Sequence, residues 1–216
     1  MTGPADASAE TAPVASALPP SVEAARAVDL IVWPDPRLRK KCLAIEPYDD
    51  HARAVASALA ERMFEVMREH KGVGLAASQV GVLARMFVMN ATGEPEDDRV
   101  IINPVLSEPD GTEEAEEGCL SLPKINTPVI RSEYLRLQAI DLHGNPIDEV
   151  GEGFIARVWQ HETDHLNGVL LLDKMGPTEK MRHRKAVRNL QDDWDEAHPP
   201  EEKPAKPRRR FGRRRK

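Results

Sequence analysis

At 216 residues the chain is long enough for one domain with tails, given roughly 100–200 residues per domain. It is 40% hydrophobic and 31% charged, and no apolar run approaches the ~18 residues that a membrane-spanning helix needs, which argues against a transmembrane protein. Two cysteines, Cys42 and Cys119, cannot build a disulfide framework, and no charged-then-apolar leader opens the chain, so a secreted, disulfide-stapled protein is not expected.

The net charge of −6 conceals an asymmetry: residues 203–216 carry nine basic residues and no acidic ones, which leaves −15 on residues 1–202. Only the tail is suited to an anionic polymer, and neither DNA nor membrane binding is expected of the body. Residues 1–27 open with MTGPADASAETAPVASALPP, lack large aromatics, and are expected to be a disordered extension. Asp6 and Glu10 precede the first basic residue, Arg26, against the pattern of a mitochondrial transit peptide. At the other end AHPPEEKPAKP (197–207) breaks any helix, so residues 196–216 are read as a disordered basic tail and 28–195 as the folded unit.

Within that unit, Ala52, Val55, Ala56, Leu59, Met63, Val66, Met67 and His70 recur at steps of three and four and predict a helix from Asp49 to Lys71. Asp49 or Asp50 suits its N-cap and Gly72 its stop. Strand-like runs follow at Arg85–Asn90, Val100–Leu106 and Tyr134–Ile140, and His143-Gly144-Asn145-Pro146 reads as a turn. A second helix over Glu152–Asn167 turns Ile155, Val158, Trp159 and Leu166 inward and stops at Gly168; a third over 178–195 presents Val187, Leu190 and Trp194. The order predicts an α+β fold with a mostly antiparallel or mixed sheet.

The chemistry concentrates on the second helix, at His161-Glu162-Thr163-Asp164-His165. Two histidines four apart project from one helical face and can reach one metal ion, with Glu162 beside them to take a proton from water. They share a stripe with Val158 and so face inward, where imidazoles and a carboxylate need a metal or polar partners. A third ligand is then required. A metzincin would place a histidine at 171, which is Leu. Glu179 lies past Gly176-Pro177, and Cys119 sits in the unusual setting Glu116-Glu117-Gly118-Cys119-Leu120-Ser121. Cys42, beside Lys41 and Leu43, reads as an inert buried thiol. Gly72-Val73-Gly74 lets the backbone turn tightly or approach a ligand, but no Lys-Ser/Thr follows to make a phosphate loop.

Three segments, GVGLAASQ (72–79), EGCLS (117–121) and QHETDHLNG (160–168), stand in the order and spacing of the peptide deformylase family, and the resemblance extends from about Ile31 through Trp194. PDPRLRK (34–40) is similar to the family's N-terminal segment and LLLDKM (170–175) to the strand-like piece after its metal helix. The resemblance implies sheets packed around a central metal-binding helix, with a C-terminal helix. It implies that Cys119, His161 and His165 bind one divalent metal ion, ferrous iron in most members, with nickel, cobalt or zinc able to replace it. Glu162 becomes the general acid/base, and Gln79 with the backbone N–H of Leu120 the donors to the formyl oxygen. The implied reaction removes the formyl group from N-formyl-methionine of nascent peptides in a bacterial cytoplasm.

Val73, Gly74, Phe154, Val158 and the aliphatic part of Arg157 match the positions that receive the substrate and its methionine side chain. Arg157 departs from the apolar residues common there and is expected to pair with an acid such as Glu117 at the pocket rim. Lys124-Ile125-Asn126-Thr127 stands where bacterial members often carry an arginine, a departure that bears on contacts with the peptide beyond methionine. The basic tail admits two readings: a solvated end, or an attraction to ribosomal RNA where nascent chains emerge. Two competing functions remain distinguishable. A zinc endopeptidase with a Glu ligand would keep its metal in Cys119→Ser, and a non-catalytic ribosome-associated factor would have a closed four-ligand site and no use for Glu162.

Overall fold

The computed structural model of the chain describes residues 17–46 and 48–199. Composition predicts disorder through residue 27, but residues 17–27 are folded. The Ser21 hydroxyl accepts from the Ala24 N–H at 3.2 Å and caps a short helix, α1 (Val22–Arg26). Leu18 and Ala25 are buried in one cluster with Ala56, Leu59 and Met63 of α2 (Asp50–Glu69). The cause lies in α2 itself, which also buries Ala58, Ala60 and Phe64 and so needs cover over a wider arc than a single apolar stripe. Arg26 pairs with Glu61 at 2.9 Å across the same contact.

Helix α2 starts as its sequence predicts, with Asp49 Oδ1 accepting from the Ala52 N–H at 2.8 Å. Its end differs. Lys71, not Gly72, takes the left-handed conformation (φ 58°), and the Gly72 N–H returns to the Met67 carbonyl at 2.8 Å. His70, placed on the apolar face by periodicity, is exposed at this turn.

The strands are β1 (Gly74–Ala76), β2 (Met86–Met89), β3 (Arg99–Asp110), β4 (Glu113–Cys119), β5 (Leu122–Arg131), β6 (Tyr134–Ile140) and β7 (Pro146–Glu152). Five form one sheet in the order β1-β2-β3-β6-β7, and β4-β5 form a separate hairpin; every pairing is antiparallel. Alternation of side chains then builds layers. Met86, Val88 and Ile102 join the α2 cluster, whereas Phe87, Met89 and Ile101 face the opposite cluster, formed with Ala156, Val158, Trp159 and Leu166 of α3 (Gly153–Leu166). The sheet is thus covered on both sides at its β1–β3 end, and α3 is held between it and the β4-β5 hairpin.

LLLDKM is not strand-like: Leu171–Lys174 form a single helical turn, α4, in which the Asp173 side chain accepts from the Leu170 N–H at 2.8 Å. Helix α5 (Pro177–Ala197) extends two residues into the stretch read as tail. Its Val187 and Leu190 pack against Leu122, Ile125 and Val129 of the hairpin, while Trp194 stacks on His198 at 3.8 Å. The basic segment 203–216 and residues 1–16 lie outside the described residues.

The contact of α3 with the sheet depends on a missing side chain. A Cβ on Gly151 of β7 would meet the Trp159 ring, with Cε3 and Cη2 each at 2.8 Å, and Trp159 is itself fixed by Nε1–H donation to Met89 Sδ at 3.2 Å. Gly151→Ala is therefore expected to destabilise the fold by about 1–3 kcal/mol, seen as a lower urea midpoint at unchanged slope.

Candidate metal centre and substrate cleft

Helix α3 turns His161 and His165 toward Cys119 of the hairpin, and Glu162 toward Gly74 of β1. Cys119 reaches them because β4 is irregular at its end: the register with β5 shifts between Gly118 and Cys119, a bulge that re-aims the cysteine side chain just before the Leu120-Ser121 turn. The potential ligand atoms of Cys119, His161 and His165 all lie within 4.8 Å of one another. Cys119 Sγ stands 3.2 Å from His165 Nε2, and the two imidazole rings are 5.0 Å apart, nearly edge to face.

The glycine-containing segment places a fourth group. After β1 the chain makes one tight turn, Ala77–Val80, closed by left-handed Gly81 (φ 77°). Inside it Gln79 is buried; its Oε1 accepts from the Ala76 N–H at 2.8 Å, which leaves Nε2 aimed at Cys119 Sγ (3.6 Å) and Ser121 Oγ (3.3 Å). Glu162 is 4% exposed and packs over Gly74, and its Oε2 is buried without a hydrogen-bond partner among the described residues. Burial pushes its carboxyl up to about 7, against the lowering influence of His161 and of the Ala76 N–H.

Behind the histidines lies a buried ion network. Glu117 Oε2 faces His161 Nδ1 at 2.9 Å, so His161 presents Nε2 toward Cys119 and His165. Glu117 also accepts two hydrogen bonds from Arg131, both at 2.8 Å, and one from Arg157 Nη1 at 2.8 Å. Arg131 continues to Asp164 at 2.5 Å, and Asp164 to Lys174 at 3.2 Å. Burial works against a charged Glu117, but Arg131 and His161 outweigh it and hold the carboxyl well below the usual carboxylate range. Removing one member of so buried a network costs about 3–5 kcal/mol in typical proteins, because the partner charge is left uncompensated.

The donor set suits a divalent transition metal: one thiol sulfur and two imidazole nitrogens on a tight triangle, with a carboxylate behind one histidine. Its charge suits a cation too. Burial disfavours a proton on His161, yet Cys119 and Glu117 raise its pKa well above the ordinary value, so positive charge is favoured at this point. Burial and His161 hold the pKa of His165 well below its ordinary value, the direction that leaves a ring nitrogen for a metal. A bound cation would take the place of the proton favoured on His161.

Cys119, His161 and Glu162 line a cleft of about 460 Å³. Val73, Gly74, Phe154, Arg157 and Val158 line it together with Gln79, Leu120 and Glu162. Val158 is buried, whereas Val73 and Phe154 are exposed at the mouth. Arg157 does pair with Glu117, but it is buried rather than at the rim, and its head also donates to the Val129 and Glu113 carbonyls at 3.0 and 2.9 Å.

A sequence model described as polypeptide deformylase matches residues 27–181. The chain belongs to the polypeptide deformylase family. Relatives include the peptide deformylase of Thermotoga petrophila, 42% identical over 160 residues that cover 74% of this chain and 93% of that protein. Among solved structures, a peptide deformylase from Legionella pneumophila superimposes with a TM-score of 0.70 at 36% identity, over 80% of this chain and 99% of that one. One from Plasmodium falciparum gives 0.73 at 34% identity, over 79% and 99%.

Residues outside the three motifs also take part, among them Lys124, Ile125 and Asn126 of the stretch expected to bear on contacts beyond methionine, whereas Glu179 and Cys42 do not. Arg131 supports Glu117 from the end of β5, and Lys71, Lys124, Ile125 and Asn126 line the mouth. Only recognition of the β4-β5 hairpin could have found Arg131, fourteen residues beyond Glu117. Glu179 lies on α5 beside Arg182 and His183 and outside the triangle. Cys42 is a core residue whose thiol is pushed up to about 11 by burial. No helix among the described residues is long and apolar enough to cross a membrane.

Proposed function

We propose that this cleft hydrolyses the formyl group from the N-terminal formyl-methionine of nascent polypeptides and releases formate. The observation that carries the reading is the convergence of Cys119, His161 and His165 within 4.8 Å beside Glu162, whose buried Oε2 has no partner among the described residues. Cys119, His161 and His165 would hold one divalent ion, which when bound supplies Lewis acidity and lowers the pKa of water. Glu162 takes the proton of the attacking water and returns it to the leaving amine. The Gln79 amide and the Leu120 N–H donate to the formyl oxygen as negative charge develops there, each donor worth about 3–4 kcal/mol in comparable sites. Val73, Phe154, Val158 and the stem of Arg157 receive the methionine side chain, and Gly74 keeps the backbone close to the reacting groups.

The test is formate release from a formyl-Met tripeptide beside an acetyl-Met control, with Glu162→Ala and Cys119→Ala for comparison. Formate from the formyl peptide alone, lost in both variants, supports the assignment; none from folded, metal-loaded protein overturns it.

The ion we assign is ferrous iron, and a thiolate with two imidazoles equally accepts nickel, cobalt or zinc. Iron-loaded protein purified without oxygen is expected to lose activity in air, and to regain it on reloading with ferrous iron where the iron alone was oxidised and Cys119 is still a thiol. Activity that survives prolonged aerobic storage without reloading rules iron out. We place the enzyme in a bacterial cytoplasm, where formylated chains emerge, and assign the nine cations of residues 203–216 to ribosomal RNA. Deleting 203–216 should then weaken ribosome co-sedimentation at low salt and flatten its salt dependence; equal sedimentation without the tail refutes that contact.

A further inference from the structure

Two lysines stand at the mouth of the cleft in a backbone conformation that side chains other than glycine rarely adopt: Lys71 (φ 58°) and Lys124 (φ 64°). Lys71 fills the left-handed position that ends α2, and Lys124 follows Pro123 near the start of β5. Both are exposed, and among the described residues Lys174 is the one lysine held in an ion pair. Their ammonium groups are therefore not committed to partners of their own.

The rest of the mouth does little to cancel them. Among the described residues Glu116 is the one exposed carboxylate lining it, and His70 adds no negative charge. Deeper in, the charges of Glu117 and Arg157 satisfy each other at 2.8 Å and are not offered to a ligand. A cationic mouth on a body that carries −15 over residues 1–202 is a local reversal of sign. With the formyl group at the floor, the residues that follow methionine must leave past this rim.

We propose that Lys71 and Lys124 set a preference for formyl-methionyl peptides whose next residues are acidic. The proposal rests on the deformylase reading of the cleft and adds the substrate class. It is tested with formyl-Met-Asp-Asp, formyl-Met-Ser-Ser and formyl-Met-Lys-Lys, all amidated so that no terminal carboxylate contributes. At low salt the wild-type holoenzyme should favour the acidic over the basic peptide by about tenfold in kcat/KM, the size expected of two exposed charge pairs. The ratio should collapse in high salt and invert in Lys71→Glu/Lys124→Glu. Because each enzyme is compared with itself, a general loss of activity in the variant does not disturb the reading. Equal rates on all three peptides, or a ratio that the double variant leaves unchanged, overturn the proposal while leaving the deformylase reading intact; no formate from any peptide removes both. Should the double variant fail to fold, the salt dependence of the wild-type ratio decides, and a ratio indifferent to salt overturns the proposal.

Discussion

Glu162→Gln is expected to lower kcat by about 10²- to 10⁴-fold, the usual contribution of a positioned acid/base group, while bound metal stays at the wild-type level. Glutamine keeps the shape of the side chain over Gly74 but cannot accept a proton. The proposed ligand atoms belong to Cys119, His161 and His165 and stay in place. The fold should not suffer either, because Glu162 is buried and its burial opposes the charged form; a neutral amide of equal volume relieves that cost. Metal analysis, urea unfolding and formate release on one preparation separate these effects. A variant that turns over within threefold of wild type would falsify the role given to Glu162.

The parts of the fold legible in the sequence are those where one periodicity ruled. The apolar stripe of helix α2 and the alternation of Tyr134–Ile140 each announce one period, and the pattern located both, although α2 buries a wider arc than its stripe. The β4-β5 hairpin was hidden by composition. β4 reads Glu-Glu-Ala-Glu-Glu-Gly, poor in strand formers, and β5 contains Pro123 and Pro128. These residues become strands through each other, with Leu122, Ile125 and Val129 buried against α4 and α5 and with Glu117 bound to Arg131. β1 is three residues long and β7 is largely exposed, too short and too polar to be seen. Residues 17–27 misled for another reason. Their composition cannot support a core, yet it suffices to cover a helix already buried on its other side.

The candidate site divides along the same line. His161, Glu162 and His165 were legible from the spacing of one motif, whereas the roles expected of Cys119 and Gln79 came from the resemblance of their segments to the deformylase family. The groups that fix those side chains were not legible, because they come from elements the sequence does not announce. Glu117 meets His161 through a bulged strand, Arg131 arrives from the far end of the hairpin, and the Ala76 N–H orients Gln79 within a single tight turn. Motif residues are constrained by what they react with, and their supports only by where the backbone happens to run.

Gly74→Ala tests that dependence of chemistry on backbone approach. Gly74 is buried and does not need a left-handed conformation, so alanine costs nothing in the backbone. A Cβ there would fall inside contact distance of Glu162 Oε1 and lie 2.9 Å from Cδ and 3.0 Å from Cγ. The carboxylate must move, and a displacement near 1 Å in a reacting group can cost about 10²-fold in rate. The expected result is a kcat lowered by about that factor, with metal content and unfolding midpoint close to wild type. A steric effect on any other group would also lower kcat, so the deciding measurement is the double variant Gly74→Ala/Glu162→Gln. If the methyl acts by displacing Glu162, adding it to Glu162→Gln should cost little more, since the proton carrier is already gone. If the two losses multiply instead, Gly74 acts on the substrate itself, and the close approach of β1 serves the peptide rather than the carboxylate.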